Sequence, residues 1–163
     1  MSRTRHTLAA FALLLVAAGV MAAGASSATD SRDDGGGQVI HAVRTTEDRT
    51  QLDLGASGSS LGDQQVFTAR FDVNGRTIGF DGGVCTLVRL PQVYQCVATN
   101  ALPDGQLTAQ ALVDFQKGPG PFQFAITGGT DRYQSARGTV SVLFGETHDQ
   151  VTFRIITGSR DRD

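Results

Sequence analysis

From Val39 onward the apolar residues recur at every second position, and turn residues interrupt them roughly every 8–15 positions. No stretch in this part of the chain repeats at helical spacing. The pattern predicts strands at about 38–45, 64–73, 76–88, 92–102, 106–115, 121–127, 137–145 and 149–157. Thr50 to Leu54 adds a short piece, and residues 55–62 read as a flexible loop. Eight strands in meander order close naturally into an all-β antiparallel barrel, which leaves no unpaired edge; an open sandwich is the alternative.

Turn chemistry sets the expected register. Asn74-Gly75 suits a two-residue hairpin whose central positions need positive φ. Centring a turn there pairs Phe71 with Ile78 and Ala69 with Phe80. Asp104-Gly105 likewise pairs Leu102 with Leu107, Asn100 with Ala109 and Ala98 with Ala111. A turn centred on Leu90-Pro91 sets Cys85 opposite Cys96, the only two cysteines. A cross-strand disulfide fits that placement; two buried free thiols are the other reading. The apolar phase switches from even positions at Ile78 and Phe80 to odd ones at Cys85 and Leu87, and a bulge at Gly82-Gly83 would restore it. One face then carries Phe67, Ala69, Phe71, Ile78, Phe80, Cys85, Leu87, Tyr94, Cys96, Ala98, Leu107, Ala109, Ala111, Val113 and Phe115, with Arg70 and Gln110 on the other. Its alanines leave room for a ligand unless the nine phenylalanines fill it.

The chain ends modify this picture. Arg3, Arg5 and His6 precede an apolar run from Leu8 to Ala23 and a small-x-small site at Ala23-Gly24-Ala25, the pattern of a cleaved secretory leader over 1–25. A single membrane anchor is the alternative, but the run of about 16 residues falls short of the ~20 a span needs. Residues 26–37 read as a flexible segment, 38–158 as the barrel and 159–163 as a disordered tail. A secreted location also favours oxidised cysteines. Losing Arg3 and Arg5 takes the net charge from −2 to −4, which argues against nucleic acid or an anionic membrane as partner.

One segment is more specific. Phe122, Phe124 and Ile126 alternate into Gly128-Gly129-Thr130-Asp131-Arg132-Tyr133, and Ala136-Arg137-Gly138 opens the next strand. It resembles the G-G-T-G-x-(Tyr/Phe)-x-x-A-R-G signature of dirigent proteins and allene oxide cyclase barrels. The stretch Cys96 to Ala111, with its Leu102-Pro103-Asp104-Gly105-Gln106 turn, looks like the middle of the bacterial allene oxide cyclase-like barrels. Asp131 stands where the signature has its third glycine; aspartate tolerates left-handed backbone better than most residues. The resemblance implies an eight-stranded barrel, a homotrimer, and a cavity for a hydrophobic or phenolic small molecule. The implied activity is a cyclisation or stereoselective coupling, an isomerase-like or dirigent-like role. A non-catalytic binder and a structural cell-surface barrel are the alternatives.

Candidate pocket residues are Tyr94, Tyr133, Arg137, Phe71, Phe80 and Phe124. For Arg137 the competing role is bonding loop carbonyls; for Tyr133, plugging the barrel end; for Tyr94, packing in the core. Gly128, Gly129, Thr130 and Gly138 are read as turn formers, since no helix follows to make a phosphate cradle. His41 and His148 lack metal-site spacing, so neither a metal nor another cofactor is expected. Ser141, His148 and Asp149 have no nucleophile-elbow motif around them.

Overall fold

The computed structural model describes residues 37–118 and 120–158. The expected leader, the segment up to residue 36 and the tail from 159 lie outside the described residues. Eight strands, β1 (Gly37–Leu52), β2 (Gln64–Val73), β3 (Arg76–Arg89), β4 (Val93–Leu102), β5 (Gly105–Asp114), β6 (Phe122–Gly129), β7 (Arg137–Leu143) and β8 (Asp149–Ile156), form a closed antiparallel barrel in sequence order. Closure comes from β1, which pairs with β2 along one edge and with β8 along the other. This is the expected eight-stranded architecture, and a barrel rather than a sandwich.

Three local expectations change. β1 is one long strand, with a bulge between Thr46 and Asp48, instead of ending at residue 45. Its second half hides from a hydrophobicity pattern because the residues it sends to the lumen, Thr46 and Arg49, are polar. In the β2–β3 hairpin, Phe71 faces Gly79 and Ala69 faces Asp81, so the phase shift lies beside the Asn74-Gly75 turn and not at Gly82-Gly83. Asp81 therefore points inward and Phe80, 58% exposed, points out. In the β4–β5 hairpin Leu102 faces Gly105, Asn100 faces Leu107 and Ala98 faces Ala109. That register is two residues from the expected one, and an even shift keeps every side chain on its face. Cys85 does face Cys96, and the two form a disulfide. Arg70 and Gln110 lie on the outside; Arg70 bonds Asp72 there.

One end of the barrel is packed shut. Phe71 and Phe153 meet edge to face with centroids 5.3 Å apart, and Leu107, Ile155 and Tyr133 fill the space around them. Tyr133 arrives on a single 3₁₀ turn, Asp131–Tyr133, between β6 and β7. The turn forms as the glycine motif requires. Asp131 takes φ +52°, the left-handed geometry allowed to it in place of glycine. Gly129 sits so close to Tyr133 that a β-carbon would come within 2.6 Å of that residue's carbonyl oxygen, and one at Gly138, at φ +127°, would run into the Arg154 carbonyl. The motif is thus the corner that lays the Tyr133 plug across one mouth.

Candidate functional site

With one mouth plugged, the lumen is reached from the other. Small residues on β4 and β5, Ala98 and Ala109, and the Cys85–Cys96 disulfide leave an inner cavity of about 60 Å³ between Phe67, Phe124, Val113, Val140 and Val142. Its polar wall is Arg44, Asp81 and Asn100. Outside it opens a vestibule of about 630 Å³, bounded by Phe115, Phe122, Phe144, Arg49, Glu146 and Asp149. Arg44, Thr46, Arg49, Phe115 and Phe144 border both spaces, so the two are continuous. Small-molecule pockets run from about 300 to 1,000 Å³. The vestibule falls within that range, whereas the inner cavity has room for little more than a protruding substituent.

The polar wall is a buried ion cluster. Arg44 on β1 lies opposite Asp149 on β8 and donates Nη1–H to its carboxylate at 2.8 Å. On the other side its guanidinium reaches across β2 to Asp81 on β3, whose facing residue on β2 is Ala69, with no exposed surface. There Nε donates at 2.6 Å and Nη2 at 3.2 Å, a two-pronged contact. The guanidinium carbon also lies 5.2 Å from the centroid of the Phe67 ring. Asn100, directly across from Asp81, donates to the Leu107 carbonyl at 3.2 Å. Asp149 additionally accepts from the Gly145 N–H at 3.3 Å, which ties the β7–β8 loop to the cluster.

The charges in this cluster do not cancel. Burial pushes the Asp81 carboxyl above the usual aspartate range, with Asp149 adding to the effect, and the bonds from Arg44 and the Ala69 backbone recover only part of it. For Arg44, burial is the largest single influence and works against the charge, but the two carboxylates together outweigh it and hold the pKa above its ordinary value. A guanidinium has five N–H groups, of which three donate to these carboxylates. The other two have no protein acceptor among the described residues, and Arg44 borders both cavities.

Aromatic rings border the vestibule as well. Phe115, on a 3₁₀ turn after β5, meets Tyr94, Phe122 and Phe144 at centroid separations of 5.8, 5.3 and 5.9 Å. Phe122 and Phe144 are themselves 5.5 Å apart. The result is an amphipathic mouth, bordered both by rings that meet edge to face or tilted and by the ion cluster.

The candidates read from the sequence scatter across the barrel. Phe124 lines the inner cavity, and Tyr94 stands half-buried behind Phe115. Phe71 belongs to the packed end and Tyr133 plugs it, so neither borders the cavity. Phe80 is corrected to the outer surface because of the hairpin bulge. Arg137 is corrected as well: it is exposed and caps the corner, donating to the carbonyls of Ser135 at 3.3 Å and Ala136 at 2.9 Å. The residues missed are Arg44, Arg49, Asp81, Asn100 and Asp149. Only the alternation Ile40, Ala42, Arg44 signalled any of them. Among the described residues no group of three or more His, Cys, Asp or Glu could hold a metal.

Comparison with known proteins agrees with this architecture. No curated protein matches the chain. Among solved structures, one described as pyocyanin demethylase superposes with a TM-score of 0.63 at 26% identity, covering 71% of this chain and 98% of that one. AbnU, an exo-specific intermolecular Diels-Alderase, superposes with a TM-score of 0.61 at 13% identity over 74% of this chain and 98% of its own. The Diels-Alderase AbmU from Streptomyces koyangensis gives 0.60 at 18% identity over 72% and 63%. At such identities the last two share the fold. The family profile described as allene oxide cyclase barrel like domain matches residues 38–156, nearly the whole of the described barrel, and the chain belongs to that family.

Proposed function

We propose that the protein is an exported barrel that holds a hydrophobic or phenolic small molecule in the vestibule and steers it through a ring closure or isomerisation. The observation that carries this reading is the continuity of an aromatic mouth of ligand size with a buried guanidinium that keeps two N–H groups unpaired. A flexible conjugated ligand stacked on Phe115, Phe122 and Phe144 loses the rotations that compete with ring formation, the entropic part of catalysis. An oxygen of that ligand accepts from Arg44, and charge developing on it in the transition state meets donors already in place. The two carboxylates hold the guanidinium rigid for that role. Solved structures of the same fold that act on small molecules, pyocyanin demethylase and the Diels-Alderases, support a small-molecule rather than a polymeric substrate.

The leader-like residues 1–25 support export. An outer row, Val66, Val84 and Val97 on adjacent strands with exposed Leu112 beside it, supports assembly into a homotrimer, which light scattering would test. Incubating the protein with a panel of conjugated enones, epoxides and polyenes tests the activity. A change in rate or product ratio that disappears in Arg44→Met is expected. Product distributions unchanged across the panel would refute turnover. A second reading, a carrier without turnover, is favoured by the narrow inner cavity, which encloses too little of a ligand to exclude water; it predicts saturable binding with no product.

A further inference from the structure

The charge balance of the site narrows the kind of ligand it takes. Five charged side chains border the two cavities: Arg44, Arg49, Asp81, Glu146 and Asp149. Arg49 and Glu146, both exposed at the mouth, offset one another. Within, one arginine serves two carboxylates, and all three side chains are about nine-tenths buried. With both carboxylates ionised, the interior holds one more negative than positive group, in surroundings where solvent screens little. An anionic ligand entering the vestibule adds a second negative charge beside Asp149. A cationic one supplies the missing counter-charge. The aromatic lining points the same way, because Phe115, Phe122 and Phe144 bring π-systems whose faces attract positive charge to the same vestibule.

Building on the small-molecule reading above, we infer that the vestibule selects conjugated ligands that carry a positive charge, such as a ring nitrogen cation, and rejects carboxylates. The cation lies over the aromatic rings with its charge toward Asp149, and Asp81 behind the inner cavity adds to the field. The two unpaired N–H groups of Arg44 do not reverse this preference, because the guanidinium is already outnumbered. They remain available to a neutral oxygen on the same ligand. A free fatty acid, whose head is anionic at neutral pH, would be held only with its carboxylate out in solvent.

Three probes of nearly equal size separate charge from shape: N-methylquinolinium, 1-methylnaphthalene and 1-naphthoate. Their affinities for the purified protein, measured by equilibrium dialysis at neutral pH, are expected to fall in that order. The cation should bind at least about tenfold more tightly than the anion, a modest ratio for one unscreened charge. Asp149→Asn should bring the cation and anion to within about threefold of each other, a convergence that a general loss of the vestibule, which would weaken all three probes alike, does not produce. A thermal melt checks that variant, and Asp81→Asn serves if it does not fold. Equal or tighter binding of 1-naphthoate overturns the charge selectivity while the aromatic vestibule stands. Binding of N-methylquinolinium without 1-methylnaphthalene sustains the selectivity and removes the hydrophobic reading on which it was built. If none of the three binds, both fall.

Discussion

Replacing Arg44 with methionine removes the cation and keeps most of the side-chain volume. It leaves Asp81 and Asp149 facing one lumen with nothing to balance them. The side chains concerned are 9%, 6% and 11% exposed, so solvent screening relieves little of the penalty. Breaking a buried pair by deleting one partner costs about 3–5 kcal/mol, chiefly because the other charge stays buried alone. For a domain of this size each kcal/mol moves the melting temperature by about 3–4 °C, so Arg44→Met should melt about 10–20 °C below the wild type at neutral pH. Two further measurements separate charge from packing. The triple variant Arg44→Met, Asp81→Asn, Asp149→Asn keeps the shape and removes every charge, and it should recover more than half of the loss. Acidification from about pH 7 to about pH 5 should narrow the gap between Arg44→Met and the wild type, because the buried Asp81 carboxyl, already raised, takes up its proton at still higher pH once the Arg44 cation is gone. Differential scanning calorimetry across that range is the assay. If the single variant melts within about 3 °C of the wild type, or the triple variant is no better than the single one, the cluster is not held together by charge and the chemistry assigned to it loses its basis.

Other consequences can be measured independently. Because burial raises the Asp81 pKa in the folded state, its protonation favours folding fully below the ordinary aspartate range, and that contribution is lost as pH rises through the folded value. The melting temperature of the wild type relative to Asp81→Asn should therefore decline as pH rises above the ordinary aspartate range; a constant difference would refute the shift. Reducing the Cys85–Cys96 disulfide, which spans a separation of 11 residues, should lower stability by about 3 kcal/mol, read as a drop in the urea midpoint with reductant that Cys85→Ser does not show. Gly138→Ala forces a β-carbon onto the Arg154 carbonyl at positive φ and should destabilise by more than about 2 kcal/mol, whereas Gly158→Ala, with open space around it, should change stability little. Phe144→Ala, at an exposed ring of the vestibule, should weaken binding of 1-methylnaphthalene about three- to tenfold while moving the melting temperature by less than about 2 °C.

The barrel was legible in the sequence and the site was not, for related reasons. Strand number, strand order, the Cys85–Cys96 pairing and the corner at Gly128-Gly129 all follow from alternation and turn chemistry, and they act over a few residues. The phase of β3 does not. Two placements of one bulge compete: at Gly82-Gly83 it keeps Phe80 inside and Asp81 out, and beside Asn74-Gly75 it does the reverse. A rule that puts apolar residues inside selects the first, because nothing local shows that Asp81 has a partner. That partner is Arg44, 37 residues earlier and two strands away, across β2. An inward arginine on β1 and inward carboxylates on β3 and β8 each look like errors of pattern when read alone; once the barrel closes they become one buried cluster. Binding sites are where local consistency is given up, so the departures from alternation were the information. Had Arg44 been read as inward with Ile40 and Ala42, a barrel would have demanded acidic partners on the strands within its reach, and Asp149, its direct neighbour on β8, would have been the first to be found.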